Sequence, residues 1–249
     1  MSEQDEELTA IPCGDPYEGE PPLLDGPREP GWLQPWSGFD PHCTRADHDC
    51  SRLPSQTANI KTAGAYDGIE CGGNRWAEMA AAEARLSVDQ GGGPFGAVIV
   101  QVDDETGEAI RYWRNRNRVT ASFDPTAHAE VCAIRDAARE LGVYNLGRIA
   151  RDEARLPQTG ATSTCILYAS AEPCPMCYAA IYWARIPRLV FAATRYDAAV
   201  QGVEFSDEAL YRELSLPYRD RPGIRARQAT IPTSLDAFNL WKRSEIVPY

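Results

Sequence analysis

A chain of 249 residues with 43% hydrophobic side chains is long enough for one domain of about 150 to 180 residues plus an appendage. No stretch approaches the roughly 18 consecutive apolar residues that a membrane-spanning helix needs, so no membrane association is expected. The formal net charge of −11 argues against a nucleic-acid partner, because proteins that grip phosphates usually carry a clustered excess of basic residues.

The acidic charge is concentrated at the N-terminus. Residues 1–30 hold nine acidic side chains and one basic one, and the remaining chain holds 27 acidic and 24 basic residues. Residues 1–70 are rich in Pro, Gly, Asp and Glu and lack apolar periodicity, so we expect an irregular extension there. Residues 71–249 are then the folded domain. An acidic start without an apolar segment favours a cytoplasmic protein.

Two clusters of charged or ligand-type residues lie outside any recognisable motif. The dense basic run Arg219, Arg221, Arg225 and Arg227 lies beside turn residues, which is typical of a solvated surface. The N-terminal extension contains four further side chains that could bind a metal: His42, Cys43, His48 and Cys50. Their spacing fits no defined site, so we interpret them as loop residues.

From residue 72 onward the pattern is that of a folded domain. Apolar residues recur at helical spacing between Trp76 and Val88, and three consecutive glycines end that helix. A second helix carries Val131 and Leu141 on its inner face, with Thr126 as the predicted N-cap. The remaining predicted elements are strands at 95–102, 109–116, 164–170, 189–194 and 227–231 and helices at 175–185 and 234–244. This alternation predicts an α/β layered fold with a mostly parallel sheet.

The motif that carries chemistry is His128-Ala129-Glu130 followed by Pro173-Cys174-Pro175-Met176-Cys177. Zinc takes His nitrogen and Cys sulfur ligands, and a catalytic site uses three of them and leaves the fourth position open for water. Cys174 and Cys177 stand three residues apart at a predicted helix start, where both sulfurs share one face. The helix N-terminus favours the thiolate form that binds metal. We therefore predict Zn²⁺ on His128, Cys174 and Cys177.

Glu130 stands two residues after the histidine ligand, beside the metal without having to bind it. A carboxylate there can take a proton from the zinc-activated water and deliver it to a ring nitrogen and then to departing ammonia. The pattern H-x-E…P-C-x-x-C is the signature of zinc deaminases. Glu130 is accordingly the predicted catalytic residue of a hydrolytic deaminase.

Two other interpretations of the cysteine pair are weaker. A zinc site that only stabilises the fold normally has four protein ligands. No fourth ligand stands at short spacing here, although Cys132 and Cys165 lie on neighbouring elements. A redox CxxC pair would leave the His-x-Glu motif without a role.

Four segments resemble bacterial guanine deaminases of the cytidine-deaminase-like superfamily, over roughly residues 74–249. They are PFGAVIV at 94–100, DPTAHAEV at 124–131, LYASAEPCPMC at 167–177 and AIYWAR at 180–185. The resemblance implies a three-layer α/β/α fold with a five-stranded mixed sheet flanked by helices. It also implies a homodimer in which the C-terminal segment is exchanged between subunits.

The resemblance further assigns substrate contacts. Asn117 would hydrogen-bond the purine, Phe95 and Trp183 would line the base pocket, and Asp207 would read the edge of the base. Tyr249 would close the pocket of the other subunit, and Ala129 is the remaining residue expected at the substrate. Without the resemblance, Asn117 reads as a turn residue, Asp207 as a helix N-cap and Trp183 as core.

The chain departs from that family in three places. Family members usually show Gly-Phe-Asp-Asp where this chain has residues 202–207, with two residues inserted and one aspartate replaced. The 70-residue extension and the loop at 148–160 are longer than usual. Ala171 stands where a cysteine is usual, but that position is not a metal ligand.

The expected reaction is hydrolysis of guanine to xanthine and ammonia, with attack on C2 while Glu130 protonates N3. Guanosine or another aminopurine is the near alternative. Editing of tRNA adenosine is a second hypothesis, disfavoured because that enzyme must hold phosphates. A non-catalytic partner subunit is the third, and the presence of Glu130 argues against it.

Overall fold

The computed structural model describes residues 66–69, 71–199, 205 and 207–244. The α-helices of these ranges are α1 (Arg75–Asp89), α2 (Val119–Ser122), α3 (Ala129–Leu141), α4 (Pro175–Trp183), α5 (Glu208–Leu214) and α6 (Asp236–Trp241). The strands are β1 (Gly96–Asp103), β2 (Ala109–Arg116), β3 (Ile149–Ala150), β4 (Thr162–Ala171) and β5 (Arg188–Ala193). None of the described helices combines the length and the apolarity that crossing a bilayer demands.

The five strands form one mixed sheet in the order β2-β1-β4-β3, with β5 also paired to β4. β1 runs antiparallel to β2 and β4, and β3 runs antiparallel to β4. Only β4 and β5 are parallel. The prediction of a mixed sheet with five strands is confirmed. The prediction that most strand pairs are parallel is wrong. The five residues between β1 and β2 are too few for the crossover that parallel strands require.

Helices cover both faces of this sheet, which confirms the three-layer fold. Along β1 and β4, alternate side chains point to opposite faces, as the two-residue period of a strand requires. Val98, Val100 and Tyr168 pack with Ala80 of α1 in one buried cluster. The opposite cluster joins strand residues such as Ile99 to α3 and α4. Each face therefore has its own apolar core.

The close packing of α1 on β1 depends on Gly96. A Cβ atom built on Gly96 would lie 2.2 Å from the backbone oxygen of Ala80 and 2.5 Å from the backbone nitrogen of Ala84. The absence of a side chain thus lets the helix backbone approach the start of the strand. Gly96 N–H also donates to Ser170 Oγ at 3.0 Å, which ties the start of β1 to the end of β4.

The fifth strand is not where the sequence predicted it. Residues 227–231 form no strand. The two-residue strand β3 lies instead in the segment 148–160 that the sequence predicted as a loop, and it pairs with Thr162 and Ser163 of β4. A strand exists only where a partner accepts its hydrogen bonds, and the sequence of one segment does not name that partner.

The topology gathers three chain segments at one end of the sheet. Ala97 near the start of β1 faces Ala169 near the end of β4, and Gly96 faces Arg116 at the end of β2. Phe95, Asn117 and the segment after Ala171 therefore meet at this end. The predicted extension, residues 1–70, lies outside the described residues except for 66–69, and so do the four ligand-type residues at 42–50.

Candidate active site

Three predicted metal ligands converge at this end of the sheet. His128 Nδ1 lies 3.6 Å from Cys174 Sγ and 3.5 Å from Cys177 Sγ. Within the described ranges this is a group that could hold one metal ion, with all ligand atoms within 4.8 Å of one another. Tetrahedral zinc, with Zn–S of about 2.3 Å and Zn–N of about 2.05 Å, places nitrogen and sulfur about 3.6 Å apart. The donor set and its spacing therefore fit zinc.

The ligands stand at the first residues of two helices. His128 is the N-cap of α3, and Cys174 is the N-cap of α4, with Pro175 in the first turn. The backbone N–H of Cys177 donates to Cys174 Sγ at 3.5 Å. Both helix N-termini thus point partial positive charge at the sulfurs. This arrangement confirms the prediction that Cys174 and Cys177 stand at a helix start.

Thr126 is not the N-cap of α3, contrary to the prediction. Its backbone N–H and its hydroxyl both donate to Asp124 Oδ1 at 2.7 Å, which closes a turn before His128. Arg135 of α3 pairs with the same carboxylate at 3.4 Å. This turn places His128 at the metal group. The N-cap of α3 is therefore His128, two residues after the predicted Thr126.

The ionisation of the two cysteines in the ligand group is consistent with a bound cation. The pKa of Cys174 is lowered to about 4, first because the Cys177 thiol donates to it and also because of His128. The pKa of Cys177 is raised, first by that same hydrogen bond and then by burial. Without a cation, this hydrogen bond favours one thiolate, on Cys174, and one thiol, on Cys177. A divalent cation between them would stabilise the second thiolate.

Glu130 lies in the first turn of α3 and is 6% exposed. Burial raises the pKa of its carboxyl group, and the negative charge of Cys174 acts in the same direction. A raised pKa brings a carboxyl group closer to the range in which it can both accept and donate a proton during catalysis. The position and the environment of Glu130 therefore suit proton transfer.

Phe95 and Asn117 lie side by side at the same end of the sheet. The backbone N–H of Asn117 donates to the carbonyl of Phe95 at 3.0 Å. Asn117 Oδ1 accepts from the backbone N–H of Val119 at 3.2 Å, so the residue also fills the turn role that its sequence position suggested. A Cβ atom at Gly93 would lie 3.3 Å from the Asn117 side chain. Ala129 is fully buried at the start of α3.

Asp207 lies at the N-cap position of α5, but its side chain makes no capping hydrogen bond. Its backbone has a positive φ of 52°, which is unusual for a residue with a side chain. Burial raises the pKa of its carboxyl group, Cys174 adds to that effect and His128 opposes it. Asp207 is therefore within electrostatic reach of the ligand group rather than committed to capping the helix.

The structure does not bring Trp183 to the other predicted contacts. Its side chain is 68% exposed at the end of α4, and its ring packs edge-on against Tyr182 with centroids 6.2 Å apart. Because Trp183 is exposed, the alternative prediction that it is a core residue is wrong. Tyr249, the predicted lid, lies outside the described residues.

Sequence reasoning missed two features beside the site. The Phe205 ring packs edge-on against Phe95 with centroids 5.1 Å apart, in the segment where the chain departs from the resembled family. Glu172, two residues before Cys174, accepts hydrogen bonds from the Tyr66 hydroxyl at 2.6 Å and from the Arg195 backbone N–H at 2.9 Å. The run Glu172-Pro173-Cys174 was visible in the sequence, but no motif indicated these partners.

Comparison with known proteins agrees with this geometry. The family model for the cytidine and deoxycytidylate deaminase zinc-binding region matches residues 73–193. A guanine deaminase of Bacillus subtilis (strain 168) is 44% identical over 151 residues, which span 61% of this chain and 81% of that protein. The X-ray structure of guanine deaminase from Bacillus subtilis covers 72% of this chain and 99% of its own, with a TM-score of 0.57 and 39% identity.

A second group of relatives is less similar. A tRNA-specific adenosine deaminase of Agrobacterium fabrum (strain C58 / ATCC 33970) is 39% identical over 130 residues, which span 51% of this chain and 71% of that protein. The family model and the His/Cys/Cys group together establish Zn²⁺ as the cofactor. The chain therefore belongs to the cytidine-deaminase-like superfamily of zinc aminohydrolases, in the branch that contains the bacterial guanine deaminases.

Proposed function

We propose that the chain deaminates guanine to xanthine and ammonia by hydrolysis. The observation that carries the proposal is the match to the Bacillus subtilis guanine deaminase, which extends over 81% of that protein. The match to the tRNA-specific adenosine deaminase of Agrobacterium fabrum is lower in both identity and coverage. The near balance of charge beyond residue 30 also gives little support to a polyanionic substrate.

In this proposal His128, Cys174 and Cys177 hold the zinc. When bound, the metal supplies Lewis acidity, which lowers the pKa of a coordinated water from 15.7 to about 7. The short distances from His128 Nδ1 to both sulfurs support this assignment. The two helix N-termini stabilise the negative charge that the cysteines must carry.

Glu130 is the proton carrier of the reaction. Hydrolytic deamination first adds water across the C2=N3 bond of guanine, with the oxygen on C2 and one proton on N3. The C2–amino bond then breaks as the amine takes a second proton and leaves as ammonia. Glu130 carries the first proton from the attacking water to N3 and the second from the new hydroxyl on C2 to the departing amine, which leaves the C2 carbonyl of xanthine. Its burial, which raises its pKa, supports both roles.

Phe95, Asn117, Ala129 and Asp207 form the proposed base site, with Tyr249 as a further contact. Phe95 offers a ring face for the purine, Asn117 offers an amide, and Asp207 offers a carboxylate for the N–H groups of guanine. The Asp207 side chain makes no capping hydrogen bond to α5, which supports a role for its carboxylate at the base. The residue difference at 202–207 is the place where substrate preference would change.

We also propose that the molecule is a cytoplasmic homodimer of purine catabolism in which the C-terminal segment reaches the other subunit. The apolar surface of the described residues supports this. Large exposed hydrophobic side chains lie on α4 and on the segment around α6, where an unpaired surface would be costly. They are Tyr178, Tyr182, Trp183, Leu235, Phe238 and Leu240.

A substrate panel tests the proposed function. Purified protein loaded with zinc is assayed for ammonia release from guanine, guanosine, adenine, cytosine, cytidine and an anticodon stem–loop of tRNA. Guanine is expected to have the highest kcat/KM, with xanthine formed in equal amount. Turnover of the stem–loop or of a nucleoside without turnover of guanine would overturn the assignment of the substrate.

A further inference from the structure

Arg195 contacts both the helix α5 and the segment that carries the metal ligands. The proposed reaction requires a fixed position of each relative to the other. Arg195 follows β5, and its side chain is 21% exposed. The guanidinium lies between two tyrosine rings, 4.7 Å from the centroid of Tyr196 and 4.5 Å from that of Tyr211. It also lies 3.2 Å from Glu208 Oε2. Tyr211 and Glu208 both belong to α5, so the side chain of Arg195 holds this helix.

The backbone of Arg195 is fixed to the segment that carries the metal ligands. Its N–H donates to Glu172 Oε2 at 2.9 Å, and the N–H of Glu172 donates to the carbonyl of Ala193 at 2.8 Å. The Tyr211 hydroxyl donates to the carbonyl of Pro173 at 3.5 Å, from the same helix. Arg195 therefore bridges the residues just before Cys174 and the helix that follows Asp207.

The helix α5 depends on such a bridge. It has seven residues, and none of them is buried. A helix of this length is not stable by itself in water and takes its stability from tertiary contacts. Asp207 directly precedes α5, with a left-handed backbone and no capping hydrogen bond. The position of its side chain therefore depends on the position of the first turn of α5. If α5 moves, the Asp207 carboxylate moves with it.

We propose that Arg195 is a positioning residue that fixes α5 against the Glu172–Cys174 segment and thereby aims Asp207 at the edge of the base. This inference rests on the proposed function, because the contact between Asp207 and the base belongs to that proposal. Arg195 does not touch the substrate in this role. Lysine in its place keeps the charge near Glu208 but cannot stack as a plane between the two rings.

Steady-state kinetics with guanine separate positioning from a general structural role. Asp207 contacts the base before and during the reaction, so misdirecting it weakens ground-state and transition-state binding alike and raises KM more than it lowers kcat. We expect Arg195→Met to raise KM about tenfold, the loss of one hydrogen bond to a charged group. Arg195→Lys should fall between this variant and the wild type. The zinc content of each variant is measured alongside.

Arg212→Met is the matched control. Arg212 lies on α5 and pairs with the same Glu208 carboxylate at 3.6 Å, but its side chain is 74% exposed. Exposed pairs of this kind contribute little, so its kinetics should stay close to those of the wild type. The double variant Arg195→Met/Asp207→Ala provides the decisive comparison. If Arg195 acts through Asp207, adding Arg195→Met to Asp207→Ala changes KM less than about twofold.

An Arg195→Met effect that is equally large with and without the Asp207 carboxylate would overturn the inference. So would a fall in kcat at constant KM. Hydrogen exchange of the 208–214 backbone amides tests the tether without any substrate, and Arg195→Met should speed it while exchange in β1 stays unchanged. A wild type that does not deaminate guanine refutes the proposed function, and the exchange rates then still decide whether Arg195 holds α5. Unchanged exchange in α5 refutes the tether.

Discussion

At the scale of single residues, the site is a small set of groups whose chemistry is set by their neighbours. His128, Cys174 and Cys177 lie together because two helix starts meet, and they form the proposed metal site. Glu130 is brought next to them by the same helix start and is buried there. Removal of any one of these groups should therefore act first on metal binding or on proton transfer.

The substitution Glu130→Gln removes the proposed proton carrier but keeps the size and shape of the side chain. We expect kcat for guanine to fall by about 10²–10⁴-fold, which is the usual contribution of general acid–base catalysis. Zinc content and thermal stability should stay near the wild-type values, since Glu130 is not a ligand. Glu78→Gln, the same change at an exposed residue of α1, serves as the control. Wild-type activity in Glu130→Gln would contradict the assigned role.

The substitution Cys174→Ser replaces a proposed thiolate ligand by a hydroxyl that ionises far less readily. We expect the zinc bound per chain to fall well below one and ammonia release to be lost with it. The melting temperature should fall as well, because a metal that binds the folded chain stabilises it. Metal analysis and thermal unfolding measure these effects. Cys71→Ser, at an exposed cysteine, should change neither quantity.

At the scale of the elements, turns and close contacts decide how the helices and strands meet. Asp103 at the end of β1 is an example. Its carboxylate accepts from the backbone N–H groups of Glu105 and Thr106 at 3.0 and 3.1 Å, which shapes the turn into β2. These hydrogen bonds, with that of Thr106 first, lower the pKa of Asp103 below its ordinary value.

A lowered pKa in the folded state stabilises the fold above the unfolded pKa of about 3.9. That stability is lost as the pH falls through the folded value. Asp103→Asn should therefore lower the free energy of unfolding at pH 7, and the difference from the wild type should shrink below about pH 4. Urea unfolding between pH 3 and pH 7 measures this. An equal difference at every pH would argue that charge is irrelevant. Asp104→Asn, an exposed neighbour with one hydroxyl donor at 2.7 Å, is the control.

At the scale of the whole molecule, the question is whether a single chain contains its complete active site or whether the proposed dimer supplies a residue from the other subunit. The described C-terminal segment exposes large apolar residues that a partner subunit could cover, Phe238 and Leu240 among them. If the exchanged segment closes the pocket, the residue that acts as lid and the residue that carries protons belong to different subunits. The two roles can then be separated by mixing variants.

We expect Tyr249→Ala and Glu130→Gln each to be poorly active alone. When the two are unfolded, mixed and refolded together, mixed dimers contain one subunit with intact Glu130 that receives Tyr249 of the partner subunit. Activity well above that of either variant should appear, at the mass of a dimer by light scattering. If the lid came from the same chain, mixing would give no gain. Refolded wild type sets the upper limit of recovery.

The sequence by itself predicted the chemistry of the site and determined the class of the fold. The local spacings in His128-Ala129-Glu130 and Cys174-Pro175-Met176-Cys177 predicted two halves of a zinc site, because residues a few positions apart stay close in any fold. The two halves lie 46 residues apart in the chain, and the match to the zinc deaminase signature predicted that they meet. The two-residue and helical periods located β1, β2, β4, β5, α1, α3 and α4, since one element buries one face whatever its partners are.

The tertiary structure decided what depends on partners distant in the chain. Pairing with β4 made Ile149–Ala150 a strand and left residues 227–231 without one, and it made most strand pairs antiparallel. The same holds at the site. Asp124 took Thr126 for a turn, Trp183 was left exposed, and Arg195 met Glu172, Tyr211 and Glu208. These contacts arise from packing between remote segments, and no local pattern in the sequence specifies which remote segments will meet.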